Sequence, residues 1–336
     1  MIDFKDISVV VQGPVQTFEN RKQDSGITQK CLESVREHLP GSTLILSTWG
    51  DQNLKGLDFD ELVINDDPGP NIRYFKLDGT PRYFNNNRQI VTSRGGLRRV
   101  KTLYAVKLRS DNYLTGNRFV ELQKEYRLRS SEHKYLQERV VVSNIFTRRY
   151  AKGYPVAYHL SDFFYFGLTQ DILSIWDLPL YDDATDPKQQ SEFSEKSGFP
   201  IDCTQMFWIS ALQKFNPSIS LGGLLDTSNG ALGDSDICFA NNFVIASPEQ
   251  LGLGLCKKFL GKARISRTKG QCAQWQHIEW INSYKKHCAA NYSKLSLHPD
   301  LIKLWLHRAW HVLPTRLETQ IKVSKRARKF RESHNG

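Results

Sequence analysis

The chain has 336 residues, of which 40% are hydrophobic, 24% charged and 11% aromatic, enough for one large domain or two moderate ones with a real core. This composition excludes a disordered or fibrous chain, and no apolar run approaches the roughly 20 residues of a membrane span. A net charge of +11 calls for an anionic partner, but nine Lys or Arg against two Glu lie beyond Leu301, so the body is only mildly basic.

The start, Met1 to Asp6, lacks the basic, apolar and small-residue succession of a secretory signal. Six scattered cysteines without a CxxC pair read as buried thiols. A cytoplasmic location is expected. Residues 7–13 form a β-branched run that predicts a buried strand, stopped at Gly13-Pro14. Cys31, Leu32, Val35 and Leu39 recur at helical spacing, ended by Pro40-Gly41. Strands are predicted at 43–48 and 62–65. Strand, helix and strand joined by short links make a βαβ unit, so the expected architecture is a parallel sheet covered by helices.

Residues 69–86, rich in Gly, Pro, Asn and Asp, read as a loop. A helix follows from Asn87 to about Val100, where Gly95-Gly96 either weakens it or brings it close to a neighbour. Further strands are expected at 104–108, 140–145 and 163–166, with helices at 171–176 and 204–214. A Pro, Gly, Ser and Asn-rich interval at 216–236 suggests an internal boundary. A short strand at 243–246 and a helical C-terminal region come after it. The division expected is a catalytic domain over 1–225, a subdomain over 226–300 and an amphipathic, basic tail over 301–336.

The chemically informative stretch is Asn85-Asn86-Asn87-Arg88-Gln89-Ile90, a helix, and then Tyr104 to Asp111. Open α/β sheets bind ligands beyond the carboxyl ends of their strands. An Asp closing a buried strand is therefore placed to meet a phosphate-bound Mg²⁺ or Mn²⁺. With the strand–loop–helix–strand–Asp order, the chain resembles GT-A glycosyltransferases. More narrowly, it resembles the WavE family of lipopolysaccharide synthesis proteins through Ile7–Pro14, Leu46-Ser47-Thr48-Trp49, Asn87-Arg88-Gln89-Ile90, Lys107-Leu108-Arg109-Ser110-Asp111 and Ser161 to Gly167. The resemblance covers most of residues 7–215.

It implies a GT-A-like, Rossmann-type mixed α/β sheet flanked by helices, and transfer of a sugar from a nucleotide-sugar donor to a bacterial surface glycan or glycolipid acceptor. Gln12, Gly13 and Pro14 would begin the nucleotide site. Asp51, at the end of the second strand, could accept from a base or ribose, or be a solvated turn residue. Asn87 and Arg88, at a helix start, would face the diphosphate. Arg109 stands where a full Asp-x-Asp motif has its first carboxylate, leaving Asp111 as the candidate metal ligand. Arg109 would contact phosphate directly or, read structurally, pair with Asp111. A modest dependence on Mg²⁺ or Mn²⁺ is expected.

Asp202 opens a helix, where a carboxylate is either a cap or, as the resemblance implies, the base for the acceptor hydroxyl. Asp162, before an aromatic strand, is the second candidate. The tail mixes Trp305 and Trp310 with basic residues, which suits an anionic membrane surface and a peripheral place on the inner face of the inner membrane. The alternative is a helix packed on the domain with a solvated basic end, or both, with the tryptophans docked. An inactive transferase-like scaffold would explain the incomplete Asp-x-Asp. Nucleic acid is not an expected partner, because the basic residues gather in the tail and not on a base-reading fold.

Overall fold

The computed structural model describes residues 2–15, 23–194, 198–261, 268–289 and 298–334. β1 (Ile7–Gln12), α1 (Ile27–His38), β2 (Thr43–Trp49) and β3 (Glu61–Asn65) follow the predicted alternation. The segment read as a loop instead holds an antiparallel hairpin, β4 (Asn71–Phe75) with β5 (Pro81–Phe84). Its turn chemistry is what the composition showed; its short strands lie under that signal. Next come α2 (Asn86–Leu97), β6 (Tyr104–Arg109), β7 (Asn112–Leu114) and α3 (Phe119–Glu125). β8 (Val140–Ser143), the small hairpin β9 (Tyr150–Ala151) and β10 (Tyr154–Pro155), β11 (Phe164–Leu168) and α4 (Thr169–Trp176) complete the middle of the chain.

The rest is mostly helical: α5 (Cys203–Gln213), α6 (Ala231–Asn242), β12 (Phe243–Ala246), α7 (Pro248–Leu251), β13 (Leu253–Leu255), α8 (Lys257–Gly261), α9 (Thr268–Cys272), α10 (His277–Cys288), α11 (Pro299–His311) and α12 (Thr315–His334). α6 begins inside the interval read as a boundary. β12 is the outermost strand of the main sheet, parallel to β8. Residues beyond 225 therefore complete the main sheet.

That sheet has seven strands in the order β12-β8-β11-β6-β1-β2-β3. The pairs along β8–β12 and β6–β1–β2–β3 are parallel, and β11 runs antiparallel to both its neighbours. Every residue of β1, β8 and β12 is buried, which a sheet covered on both faces requires. Because β11 is reversed, its beginning lies at the same sheet edge as the ends of β1 and β6. Arg109 pairs in register with Gln12, and Phe164 with Leu108. One turn in chain direction thus brings Asp162 to Arg109.

Gly95 and Gly96 bear out the close-approach reading of α2. A Cβ on Gly96 would overlap Val10 and press on Ser47, and one on Gly95 would overlap Asn65. No helix among the described residues is long and apolar enough to cross a membrane.

Candidate functional site

A cleft of about 310 Å³ opens beyond β1 and β6, and Gln12, Gly13, Pro14, Arg88, Arg109, Asp111 and Asp162 all line it. Gly13 turns the chain out of β1 at φ +117°, and its Cα faces the Ser110 hydroxyl so closely that an added Cβ would lie 3.0 Å from Oγ. Only glycine adopts that backbone without strain. The Ser110 hydroxyl donates to the Pro14 carbonyl at 2.7 Å. Gln12 accepts from Thr92 Oγ1 at 2.7 Å. One wall is therefore a fixed loop, held from β6 and α2.

The centre is a charged cluster. Arg109 forks onto Asp111 through Nε and Nη2, both at 2.9 Å, and its Nη1 reaches Asp162 Oδ2 at 3.2 Å. Lys258, from α8, donates to the same Asp111 carboxylate, and Gln89 donates to Asp162. Asp111 is almost wholly buried, which opposes ionisation, but Arg109 and then Lys258 hold its carboxyl far below the usual range. Both Asp111 oxygens are thus bonded to cations, and a divalent ion at this position would have to displace one of them. As the residues stand, Arg109 and Lys258 balance Asp111 and Asp162, and Asp111 has no oxygen left open to a metal.

Behind the cleft, Lys107 is fully buried; it donates to the Asp162 carbonyl and lies 3.9 Å from the centre of the Trp176 ring. Burial, with help from Arg109, pushes its pKa down to about 7.

The other sequence candidates fall in different places. Arg88 lines the cleft but is buried and forked onto Asp67 at 2.6 and 2.7 Å, which fixes its guanidinium. The Asn87 side chain exchanges two 2.8 Å hydrogen bonds with the Tyr181 backbone, tying α2 to the segment after α4. Asp51 is exposed and accepts from Gln52, whose own carbonyl takes the Val15 amide.

Asp202 caps α5, accepting from the Thr204 amide at 3.2 Å within a capping box completed by Gln205. It also stands 3.5 Å from His159 and 3.8 Å from Arg148. Burial opposes its ionisation, but His159 and then Arg148 lower its pKa well below the carboxylate range. His159 is itself wholly buried, and that burial lowers its pKa.

Asp202 lines a second, larger cavity of about 750 Å³. Phe84 and Cys203 border both spaces, and Asp202, on the side of the larger one, immediately precedes Cys203. Gln89 lay inside the Asn85–Ile90 stretch without a role of its own, and Lys258 had no sequence signal beyond its type, since it arrives from 147 residues further along the chain.

The C-terminal helices decide between the two readings of the tryptophans, and membrane contact itself stays an expectation. The tryptophans are not docked: Trp305 is 64% and Trp310 79% exposed, on one face of α11 with Ile302 and Leu306. Part of the basic segment packs on the body instead. Arg316 donates to the Gly153 carbonyl, Thr319 to the Lys152 carbonyl, and Arg326 pairs with Glu192 at 3.3 Å.

A family model described as WavE lipopolysaccharide synthesis matches residues 7–316. No curated protein matches the chain.

Proposed function

The chain belongs to the WavE lipopolysaccharide synthesis family, and we propose that it moves a sugar from a nucleotide-sugar donor in the smaller cleft to a glycan or glycolipid acceptor in the larger cavity. A role of the transferase type in lipopolysaccharide-related glycan synthesis comes with the family. Donor, acceptor and residue roles are inferred from geometry. The observation that carries them is the Arg109–Asp111–Asp162–Lys258 cluster at the strand ends, with a carboxylate, Asp202, in the larger cavity next to Cys203, which borders both spaces.

In this reading Gln12, Gly13 and Pro14 shape the nucleoside side, and Arg88, held by Asp67, lines it. Arg109 and Lys258 face the diphosphate, with Asp111 and Asp162 fixing the guanidinium in position. As the bond between anomeric carbon and diphosphate oxygen breaks, negative charge gathers on the leaving group. Prepositioned cations stabilise it without reorganising, which is the work a divalent ion would do. The acceptor oxygen bonds to the anomeric carbon and its proton passes to Asp202. A carboxylate held at so low a pKa is a weak base, so the proton moves late, once the attacking hydroxyl has become acidic. α11 and the exposed face of α12 would rest on an anionic membrane surface.

Calorimetric titration with uridine, guanosine and cytidine nucleotides and their sugars, followed by transfer assays, tests the reading. One nucleotide class should bind, and Arg109→Gln should weaken it. Absence of binding by every nucleotide to folded protein leaves an inactive scaffold as the correct description.

A further inference from the structure

The larger cavity carries more positive charge than a neutral sugar requires. Arg73, Arg148, Lys152, Lys322 and Arg326 line it against the three carboxylates of Glu192, Asp202 and Glu318. Two of those carboxylates are engaged with cations of the same wall, Glu192 with Arg326 and Asp202 with Arg148. Arg73 comes from the β4–β5 hairpin; its Nη2 donates to the Ile201 carbonyl at 2.9 Å. Its buried Nε has no hydrogen-bond partner among the described residues. A buried guanidinium nitrogen left in this way is a costly arrangement unless something else meets it.

Lys152 gives an independent indication. It occupies the first position of the two-residue turn between β9 and β10, at φ +54°, with Gly153 following at φ +86°. Turns with both central residues at positive φ favour Asn or Asp followed by Gly. A lysine there is strained, and backbone strain of this kind gathers at ligand sites. The turn is also fixed from outside: a Cβ on Gly153 would press on the first turn of α12, 2.7 Å from the Arg316 amide nitrogen. The Lys152 ammonium lies 4.0 Å from the centre of the Phe199 ring, and the Arg326 guanidinium 5.2 Å from the same ring. Two cations on one aromatic ring at the wall of a cavity make a site for an anion flanked by an apolar sugar face.

We propose that the larger cavity recognises an acceptor glycan by an anionic substituent, a phosphate or a carboxylate, held by Arg73, Lys152, Lys322 and Arg326. The word acceptor rests on the transferase reading; the anion site does not. α12 is then a working wall of the site, because Glu318, Thr319, Lys322 and Arg326 face the cavity from it.

The test compares binding of three probes to the full chain by calorimetry. They are a lipopolysaccharide core oligosaccharide bearing phosphate, the same oligosaccharide after enzymatic dephosphorylation, and a uronic-acid oligosaccharide of similar length. At least one anionic probe should bind about tenfold or more tightly than the neutral one, as expected for charge-assisted contacts; which of the two does so identifies phosphate or carboxylate as the recognised group. Lys152→Asn relieves the turn and so keeps the fold, and Lys322→Gln alters an exposed side chain. The double variant should lose about tenfold in affinity for the anionic probe while nucleotide binding is unchanged. Equal affinity for neutral and anionic probes, or an unaltered affinity in the double variant, overturns the proposal. If anionic probes bind but no nucleotide does, the anion site stands and the transferase reading falls.

Discussion

At Asp111 two cations converge on one carboxylate, and this sets the first expectation. Removing one prepositioned donor from a developing oxyanion typically costs about 10²–10³ in turnover. Arg109→Ala should show a loss of that order in initial-rate assays. Lys258→Gln, which alters a side chain about a third exposed, should lose less, and turnover in excess EDTA should equal turnover with Mg²⁺. Restoration of an EDTA-silenced enzyme by Mn²⁺ would overturn the metal-free account. Lys107 gives a second expectation. Its pKa is about 7 when folded, against 10.5 for a free lysine. Between those values the unfolded chain binds a proton that the folded chain does not, so stability rises with pH across that window. The contribution approaches about 1.4 kcal/mol per pH unit for one proton. Chemical denaturation of Lys107→Met at pH 7 to 10 should show that slope removed; identical slopes in both proteins would mean that Lys107 stays charged. The residues at this scale divide by chain distance. Arg88, Arg109, Asp111 and Asp162 were legible because each sits at an element end that the hydrophobic pattern marks. Lys258 and Arg73 were not, because a basic residue on a short helix or hairpin carries no local sign of the carboxylate or cavity it will face.

Elements were readable where burial and periodicity agree. β1, β2, β6, β8, β11 and β12 are apolar runs that become wholly or mostly buried strands, and α1 shows its core face at helical spacing. The β4–β5 hairpin was hidden because its residues alternate irregularly and its ends are turn-rich. α6 was obscured by the Ser, Asn and Gly that precede it. The glycine pair in α2 was legible only as a choice, which packing resolves: the helix seats on β1 and β2 with no room for a methyl group at Gly96. Gly96→Ala should therefore destabilise the protein despite alanine's better helix propensity. Overpacking of a well-filled core commonly costs about 1–3 kcal/mol, against a propensity gain of about 1 kcal/mol. A lowered urea midpoint is the expected result, and an unchanged or raised one would mean that α2 shifts freely on the sheet.

On the scale of the molecule, charge and apolar surface are gathered at one end, and α12 carries two faces. One packs on the body and lines the larger cavity through Thr319, Lys322 and Arg326; the other exposes Leu317, Ile321, Lys325, Arg328 and Lys329. α11 likewise exposes Ile302, Trp305, Leu306 and Trp310, so each helix shows apolar residues beside basic ones, the pattern of helices lying in a headgroup layer. The sequence offered tryptophans and basic residues together at a membrane surface or, alternatively, the tryptophans docked; the exposed rings exclude the docked form. Each basic residue near an anionic surface contributes about 1 kcal/mol, and an exposed Trp ring contributes as much or more when it inserts. Trp305→Ser with Trp310→Ser alters only surface side chains, so the fold and nucleotide binding should be unchanged. Co-sedimentation with phosphatidylglycerol-containing vesicles should fall about tenfold or more. Rising salt should weaken wild-type binding without abolishing it, because screening removes the charge contribution and not the apolar one. Deleting residues 315–336 should behave differently from both, since it removes a wall of the larger cavity along with the exposed face. Its expected signature is a lower melting temperature together with lost binding. Vesicle binding by the double tryptophan variant equal to that of the wild type would remove the bilayer from this patch and leave it to a protein partner.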